Sequence, residues 1–271
     1  MPSKIIFITG TDTGVGKTLL TGLLLAHLRQ AGVHALALKP FCCGPRRDVQ
    51  LLQALQDDAL LADEINPFYF REPIAPFVAA RLHRRSIPLA KTLDHIQMAT
   101  RRCDCLLIEG IGGVSVPLGS LAGRGVPTAP PNAEETKAAP WSSRAGPGIY
   151  TVLDLITNLD CETIVVSRNQ LGTINHTLLT VSALRHNLHE TYSVPHANSA
   201  LHTTRPALPK VLLMNSRRPD PSSASNPRIL TELIAPTRLF LLPFLGRNCH
   251  TAAAIKANAR KFHKILAQLL A

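Results

Sequence analysis

The residues best placed to do chemistry form one short run, Gly10–Thr18, with the sequence GTDTGVGKT. Its glycines let the backbone curl so that N–H groups point inward at an anion. The closing Gly16-Lys17-Thr18 fits the phosphate-loop pattern GxxxxGK[ST]. In that pattern the lysine reaches the β- and γ-phosphates and the hydroxyl ligates Mg²⁺. The leading glycine falls one residue early, at Gly10, and Thr11 stands in its usual place. The physics survives the shift, because inward N–H groups and the positive end of the following helix do the binding. The alternative is an ordinary glycine-rich turn between a strand and a helix.

A phosphate loop needs a carboxylate near its metal. Leu106, Leu107 and Ile108 run straight into Glu109-Gly110-Ile111-Gly112-Gly113, which places Glu109 at the carboxyl end of a strand. Open α/β sheets bind ligands at that edge. Glu109 reads as a Mg²⁺ ligand or a water orienter, the alternative being an acid that caps a turn. Lys39 precedes Pro40 at the end of another strand. It either binds the anionic end of a second substrate or the transferring phosphoryl group, or is a surface lysine.

These groups need a scaffold that brings strand ends together. The sequence alternates apolar strands with amphipathic helices. Strands are expected at Lys4–Thr9, His34–Lys39, Cys103–Ile108, Thr163–Val166, Val211–Met214 and Leu239–Leu242. Helices are expected at Thr18–Ala31, after Asp48 (its N-cap, with Leu51, Leu52, Leu55 and Leu60), Leu89–Arg102, Asn175–His189 and Ala252–Leu270. Near-continuous apolar strands imply a mostly parallel sheet with helices on both faces. The fold class is α/β, a single phosphate-loop NTPase-like domain over residues 1–271.

Composition narrows the function classes. Of 271 residues 45% are hydrophobic and 17% charged, which excludes a wholly disordered chain. The net charge of +11 favours anionic partners, yet 4% aromatic residues leave little to stack on single-stranded bases. Six cysteines form no CxxC pair, no run is long enough to span a bilayer, and the N-terminal run lacks a signal-peptide pattern. A cytoplasmic protein is expected, with no membrane and no nucleic acid. Segments 120–149, 191–210 and 216–228 hold 11 of the 21 prolines and carry charges of +1, +2 and +2. They read as mobile insertions.

Taken in order, the motifs resemble those of the dethiobiotin synthase family. The matching runs are GTDTGVGKT at 10–18, KPFCCG at 39–44, NPFYFREPIAP at 66–76, EGIGGVSVPLG at 109–119, LGTINHTLLT at 171–180, Met214-Asn215 and LPFLG at 242–246. The resemblance implies a homodimeric ligase that makes dethiobiotin, ADP and phosphate from 7,8-diaminononanoate, CO₂ (bicarbonate) and ATP. It also implies roles. Gly14, Val15, Gly16, Lys17 and Thr18 would wrap the phosphates. Lys17 and Lys39 would hold carbamate and γ-phosphate together, as the catalytic pair. Thr18, Asp48 and Glu109 would ligate Mg²⁺, with Asp57 or Asp58 as alternatives to Asp48. Thr13 and Cys43 would border the substrate, and Leu171, Gly172, Ile174 and Asn175 would contact it across the dimer interface. Asn215 would bind the adenine edge, with Pro243, Phe244 and Leu245 beside the base. Two positions depart from the family pattern: Cys43 stands where a small hydroxyl is usual, and Arg247 where an acid is common.

One alternative of a different class is a partition-type or regulatory ATPase that binds DNA or a protein partner. Such proteins carry an extra lysine early in the loop, where this chain has Thr11, Asp12 and Thr13. His176, and the pairs Arg84-Arg85 and Arg101-Arg102, read as solvated or packing residues.

Overall fold

The computed structural model of the chain describes residues 3–121, 148–193 and 207–271. Its first half runs β1 (Lys4–Gly10), α1 (Lys17–Gln30), β2 (Ala35–Leu38), β3 (Phe41–Cys43), α2 (Arg47–Leu55), α3 (Ala62–Ile65), β4 (Phe68–Phe70), α4 (Pro76–Leu82), α5 (Leu89–Thr100), β5 (Cys105–Gly113) and β6 (Pro117–Ser120). Then come β7 (Ile149–Thr151), α6 (Val152–Thr157), β8 (Glu162–Arg168), α7 (Thr173–Ser193), β9 (Lys210–Met214), α8 (Asn226–Leu233), β10 (Leu239–Leu242), α9 (Ala252–Lys261) and α10 (His263–Leu270). A 3-10 turn at Pro221–Ala224 precedes α8.

Six strands form one parallel sheet in the order β10-β9-β8-β1-β5-β2. Every residue of β2 and β9 is buried, as is β1 from Ile6 onward. Strands this apolar must be covered on both faces. Helix α1 is apolar nearly all round, and Leu20, Leu23, Leu24 and Leu25 are fully buried where it packs between the sheet and helices α2 and α9. Because β1 lies between β5 and β8, its carboxyl end meets theirs at the edge where strand order reverses. Two short sheets flank this core: β3 pairs with β4 in parallel, and β6 pairs with β7 antiparallel. Among the described residues, no helix is long and apolar enough to cross a membrane.

Several local expectations need correcting. The closing helix is two helices, broken at Phe262 (φ −104°, ψ 20°). The break lets Ile255 and Ala259 of α9 and Leu266 and Leu269 of α10 all reach the core. Asp48 is not a helix cap. Arg46 holds that position, and Asp48 lies in the first turn, where the helix's positive end suits a carboxylate. Strand β5 does not stop at Ile108 but runs to Gly113, so Glu109 lies inside it. The pairing of β1 with β5 shifts register after Ile8↔Glu109 and resumes at Gly10↔Gly113.

The proline-rich segments differ from one another. Residues 122–147 and 194–206 lie outside the described part, so the reading of those stretches as mobile insertions does too. At the roots of the first, Ser120 and Ile149 are paired in the β6–β7 hairpin. The third is built into the fold. Pro221 opens the 3-10 turn and Pro227 sits in the first turn of α8, positions where the missing N–H and fixed φ cost nothing.

At the opposite edge of the sheet, Glu162 accepts hydrogen bonds from Lys4 Nζ (2.8 Å) and Lys210 Nζ (3.0 Å). Burial pushes the Glu162 carboxyl up, but the two ammonium groups outweigh it and hold it below the usual glutamate range. A lowered folded-state pKa stabilises above the unfolded value, near ~4.3, and that contribution fades as pH falls through the folded value. Glu162→Gln is therefore expected to cost about 0.5–1 kcal/mol at pH 7. The difference from the native chain should shrink at pH 3, as read from urea midpoints at the two pH values.

Candidate active site

The carboxyl ends of the strands line one cleft of about 880 Å³. Strand β1 delivers Gly10, and the loop then curls back over its own end before α1 begins. A Cβ on Gly10 would lie 2.7 Å from Val15 Cγ2 and 3.2 Å from Lys17 Nζ. The early glycine is therefore what lets the loop close and the lysine fold back. Gly16 caps α1 with φ at 107°, and a Cβ there would meet Met214 Cε at 3.0 Å. Gly16→Ala should cost about 1–2 kcal/mol through the left-handed backbone alone. Distortion of the N–H cradle should also weaken ATP binding about tenfold or more. Thermal unfolding and calorimetric titration check the two effects separately.

Lysines and carboxylates meet at the loop's mouth. Lys17 is 8% exposed, and its Nζ donates to the backbone oxygens of Asp12 (2.8 Å) and Gly112 (2.9 Å). Lys39, 7% exposed, donates from Nζ to Asp48 Oδ2 and Glu109 Oε1, both at 2.6 Å. Thr18 Oγ1 donates to the same Glu109 Oε1 at 2.7 Å. Glu109 itself is 1% exposed. A carboxylate that deep is costly unless it is paired, and Lys39 is its ionic partner.

The two lysines are tuned in opposite directions. Burial lowers Lys17 to about 8, with Glu109 opposing and Lys39 assisting. Burial also pulls Lys39 down, but Glu109 and Asp48 together outweigh it and hold it above the ordinary lysine range. Burial pushes Asp48 up, and the Lys39 ammonium more than reverses this. Both lysines are thus positioned as cations against one anionic pair.

The donor set fits Mg²⁺. Glu109 Oε2 is buried and has no hydrogen-bond partner among the described residues, and Thr18 Oγ1 lies beside the same carboxylate. These are hard oxygen donors. No group of three or more His, Cys, Asp or Glu that could hold a metal occurs among the described residues. Asp57 is not a competing donor: it is exposed and paired with Arg29 and Lys256, and Asp58 is exposed as well.

At the other end of the cleft, Met214, Asn215, Phe244 and Leu245 line the wall with Arg247. Pro243 is exposed and not part of that lining. Thr13, Cys43 and Pro73–Pro76 line the remaining side. Burial pushes the Cys43 thiol up to about 12, so it faces the cleft as a neutral, weak donor. Leu171, Gly172, Ile174 and Asn175 do not line this cleft. Leu171 is 81% exposed and Asn175 is exposed at the start of α7, on the outside of the subunit, whereas Ile174 packs partly against the core. His176 is also exposed, and so are both arginine pairs.

Arg168 and Asn169 were missed. Arg168 Nη2 donates to the Gly14 backbone oxygen at 2.6 Å, tying β8 to the phosphate loop. Asn169 Nδ2 donates to Asn215 Oδ1 at 2.9 Å. The sequence reading had Thr163–Val166 begin this strand and assigned neither residue a role, whereas β8 runs to Arg168. Extending the expected strand by two residues would have placed them at the same edge as Glu109 and Asn215.

Comparison with known proteins agrees with this geometry. The chain matches the family described as "AAA domain" over residues 4–122 and 149–194. It is 37% identical over 182 residues to the ATP-dependent dethiobiotin synthetase BioD of Bacillus licheniformis, covering 65% of this chain and 66% of that one. It is 34% identical over 180 residues to the enzyme of the same name from Bacillus subtilis, with 65% and 66% covered. The chain thus spans just under two thirds of the length of these relatives. The Thermodesulfovibrio yellowstonii protein of that name matches at 32% identity over 247 residues, 88% of each chain. Apo McdA of Cyanthece is similar in fold alone, with TM-score 0.53 and 13% identity over 99% of this chain and 100% of that one. The signature runs other than LGTINHTLLT reach one cleft and the likeness extends over 88% of a relative's length, so the chain belongs to the dethiobiotin synthetase family.

Proposed function

We propose that this chain is an ATP-dependent dethiobiotin synthase, acting as a cytoplasmic homodimer on 7,8-diaminononanoate and CO₂. The observation that carries the reading is the pair of buried ammonium groups, Lys17 and Lys39, at one phosphate loop with Glu109 between Lys39 and Thr18. Carbamate and triphosphate are both anions, and they approach only where positive charge is fixed in advance.

In this reading one substrate amine captures CO₂ and releases a proton, giving a carbamate. A carbamate oxygen attacks the γ-phosphorus, and the bond to the bridging oxygen of ADP breaks. The second amine then attacks the carbonyl carbon and releases a proton, and the C–O bond to phosphate breaks as the ureido ring closes. The products are dethiobiotin, ADP and phosphate. Lys17 would hold the γ-phosphate, and Lys39 would bridge it to the carbamate. Backbone N–H groups of Gly14–Thr18 would take the phosphate oxygens. Thr18, Asp48 and Glu109 would hold Mg²⁺, which neutralises phosphate charge when bound. The chain needs little acid–base chemistry of its own, because the substrate amine is the nucleophile for CO₂ and phosphate is a good leaving group.

At the base end, Asn215 would read the adenine edge, with Phe244 and Leu245 against its face. Asn175 and Leu179 lie four residues apart, so they share one side of α7, and both are exposed, as is Leu171 just before the helix. That face suits a second copy of the chain, to whose substrate Gly172 and Asn175 would then lie close. The test is direct. Purified protein is mixed with ATP, Mg²⁺, bicarbonate and diaminononanoate, and the mixture is analysed for dethiobiotin by mass. Folded, ATP-binding protein that yields no dethiobiotin would overturn the proposal.

A further inference from the structure

Asn169 sits just beyond β8, and its side chain reaches away from the phosphates into a network of amides. Asn169 and Asn226 are 3% and 2% exposed. Asn226 Nδ2 donates to Asn169 Oδ1 (3.1 Å), and Asn169 Nδ2 donates to Asn215 Oδ1 (2.9 Å). An isolated amide in such a chain could turn over, exchanging oxygen for nitrogen. Here two backbone carbonyls, which only accept, forbid it. Asn226 Nδ2 also donates to the Gln170 oxygen at 3.2 Å, and Asn169 Nδ2 to the Ser223 oxygen at 2.9 Å. Both nitrogens are therefore fixed, and so is the third amide. Asn215 must turn Oδ1 inward to Asn169, which leaves its NH₂ group for the cleft that it lines.

We propose that Asn169, anchored by Asn226, is a positioning residue for nucleotide-base selection, locking the Asn215 amide so that its NH₂ meets a ring-nitrogen acceptor of adenine. The second lone pair of Asn215 Oδ1 then faces the neighbouring exocyclic amine, which donates. Guanine carries a carbonyl oxygen beside N7, and a locked Oδ1 opposes it. The selection thus depends on a residue that touches no nucleotide. It depends equally on the segment 216–228, whose 3-10 turn and first α8 turn supply Ser223 and Asn226. The inference rests on the ATP-binding reading above.

Asn169→Asp tests it. The carboxylate keeps the shape but offers only acceptors, so Asn215 must turn its NH₂ inward and its oxygen toward the base. ATP binding is expected to weaken about tenfold or more, while inorganic tripolyphosphate, which has no base, binds as before. KM for ATP should rise with kcat little changed. The native chain should bind either 7-deaza-ATP or 1-deaza-ATP less tightly than ATP, and Asn169→Asp should erase that difference. Asn226→Ala removes the anchor and carries the same test at lower amplitude, with thermal melting of both variants as the check on folding. Equal losses for ATP and tripolyphosphate, unchanged ATP affinity, or a deaza penalty that persists in both variants would overturn the inference. A native chain that binds tripolyphosphate but not ATP would overturn the ATP reading and this inference with it.

Discussion

Lys39→Ala is expected to lower dethiobiotin formation about 10²–10³-fold or more and to destabilise the chain at the same time. The two effects have separate causes. Catalysis loses the ammonium proposed to bridge carbamate and γ-phosphate. Stability loses the only cation in contact with Glu109 among the described residues, and that carboxylate is 1% exposed. An uncompensated charge at that depth costs about 3–5 kcal/mol, unless the carboxyl takes up a proton. The double variant Lys39→Ala/Glu109→Gln isolates the stability effect, because it removes both halves of the ion pair. Its urea midpoint should recover most of the loss, and its turnover should not. Turnover that returns with stability would reduce Lys39 to a counter-ion of Glu109.

Lys17→Ala should lose turnover by a similar factor and ATP affinity with it, but with a much smaller stability change, about 1 kcal/mol in either direction. Lys17 and Lys39 are equally buried, yet their partners differ. Lys17 Nζ is held by two backbone oxygens and makes no ion pair within 4 Å among the described residues, whereas Lys39 makes two. Burial has already lowered Lys17 to about 8, so its removal relieves a desolvated charge while it breaks two hydrogen bonds. Unfolding midpoints of the two single variants measured side by side provide the comparison. A Lys17→Ala chain as destabilised as Lys39→Ala would contradict this division of labour.

What the sequence revealed of the site follows from how local each signal is. The phosphate loop is contiguous, and its lysine, hydroxyl and glycines act within nine residues, so the spacing carried the chemistry. Lys39 and Glu109 were legible because each stands where an apolar run ends, the edge at which a parallel sheet gathers its ligands. From the residues alone Asp48 was legible as a helix-start acid, and its place beside the metal came from the family resemblance. Its contact with Lys39 depends on how α2 packs, which no local pattern encodes. Asn169 and Asn226 were invisible for a related reason: they act on each other across 57 residues.

Two local patterns look different in the folded chain. Proline density suggested an insertion at 216–228, but two of its prolines occupy first-turn positions that favour proline. The closing helix has no glycine or proline at Phe262, and it breaks because both halves have core to reach. The charge also looks different in three dimensions. Lys17 and Lys39 are matched at the site by Asp48 and Glu109, so the cluster is close to neutral and the +11 lies elsewhere.

The central claim is that the site brings a carbamate oxygen to the γ-phosphorus. It is tested most directly by where that oxygen goes. The enzyme, ATP, Mg²⁺ and diaminononanoate are mixed with CO₂ labelled with ¹⁸O in unlabelled water, and quenched before the label exchanges. The account predicts one ¹⁸O atom in each phosphate released, formed in step with dethiobiotin. Phosphate that carries no label would mean that water, not carbamate, attacks phosphorus, and the account would be wrong.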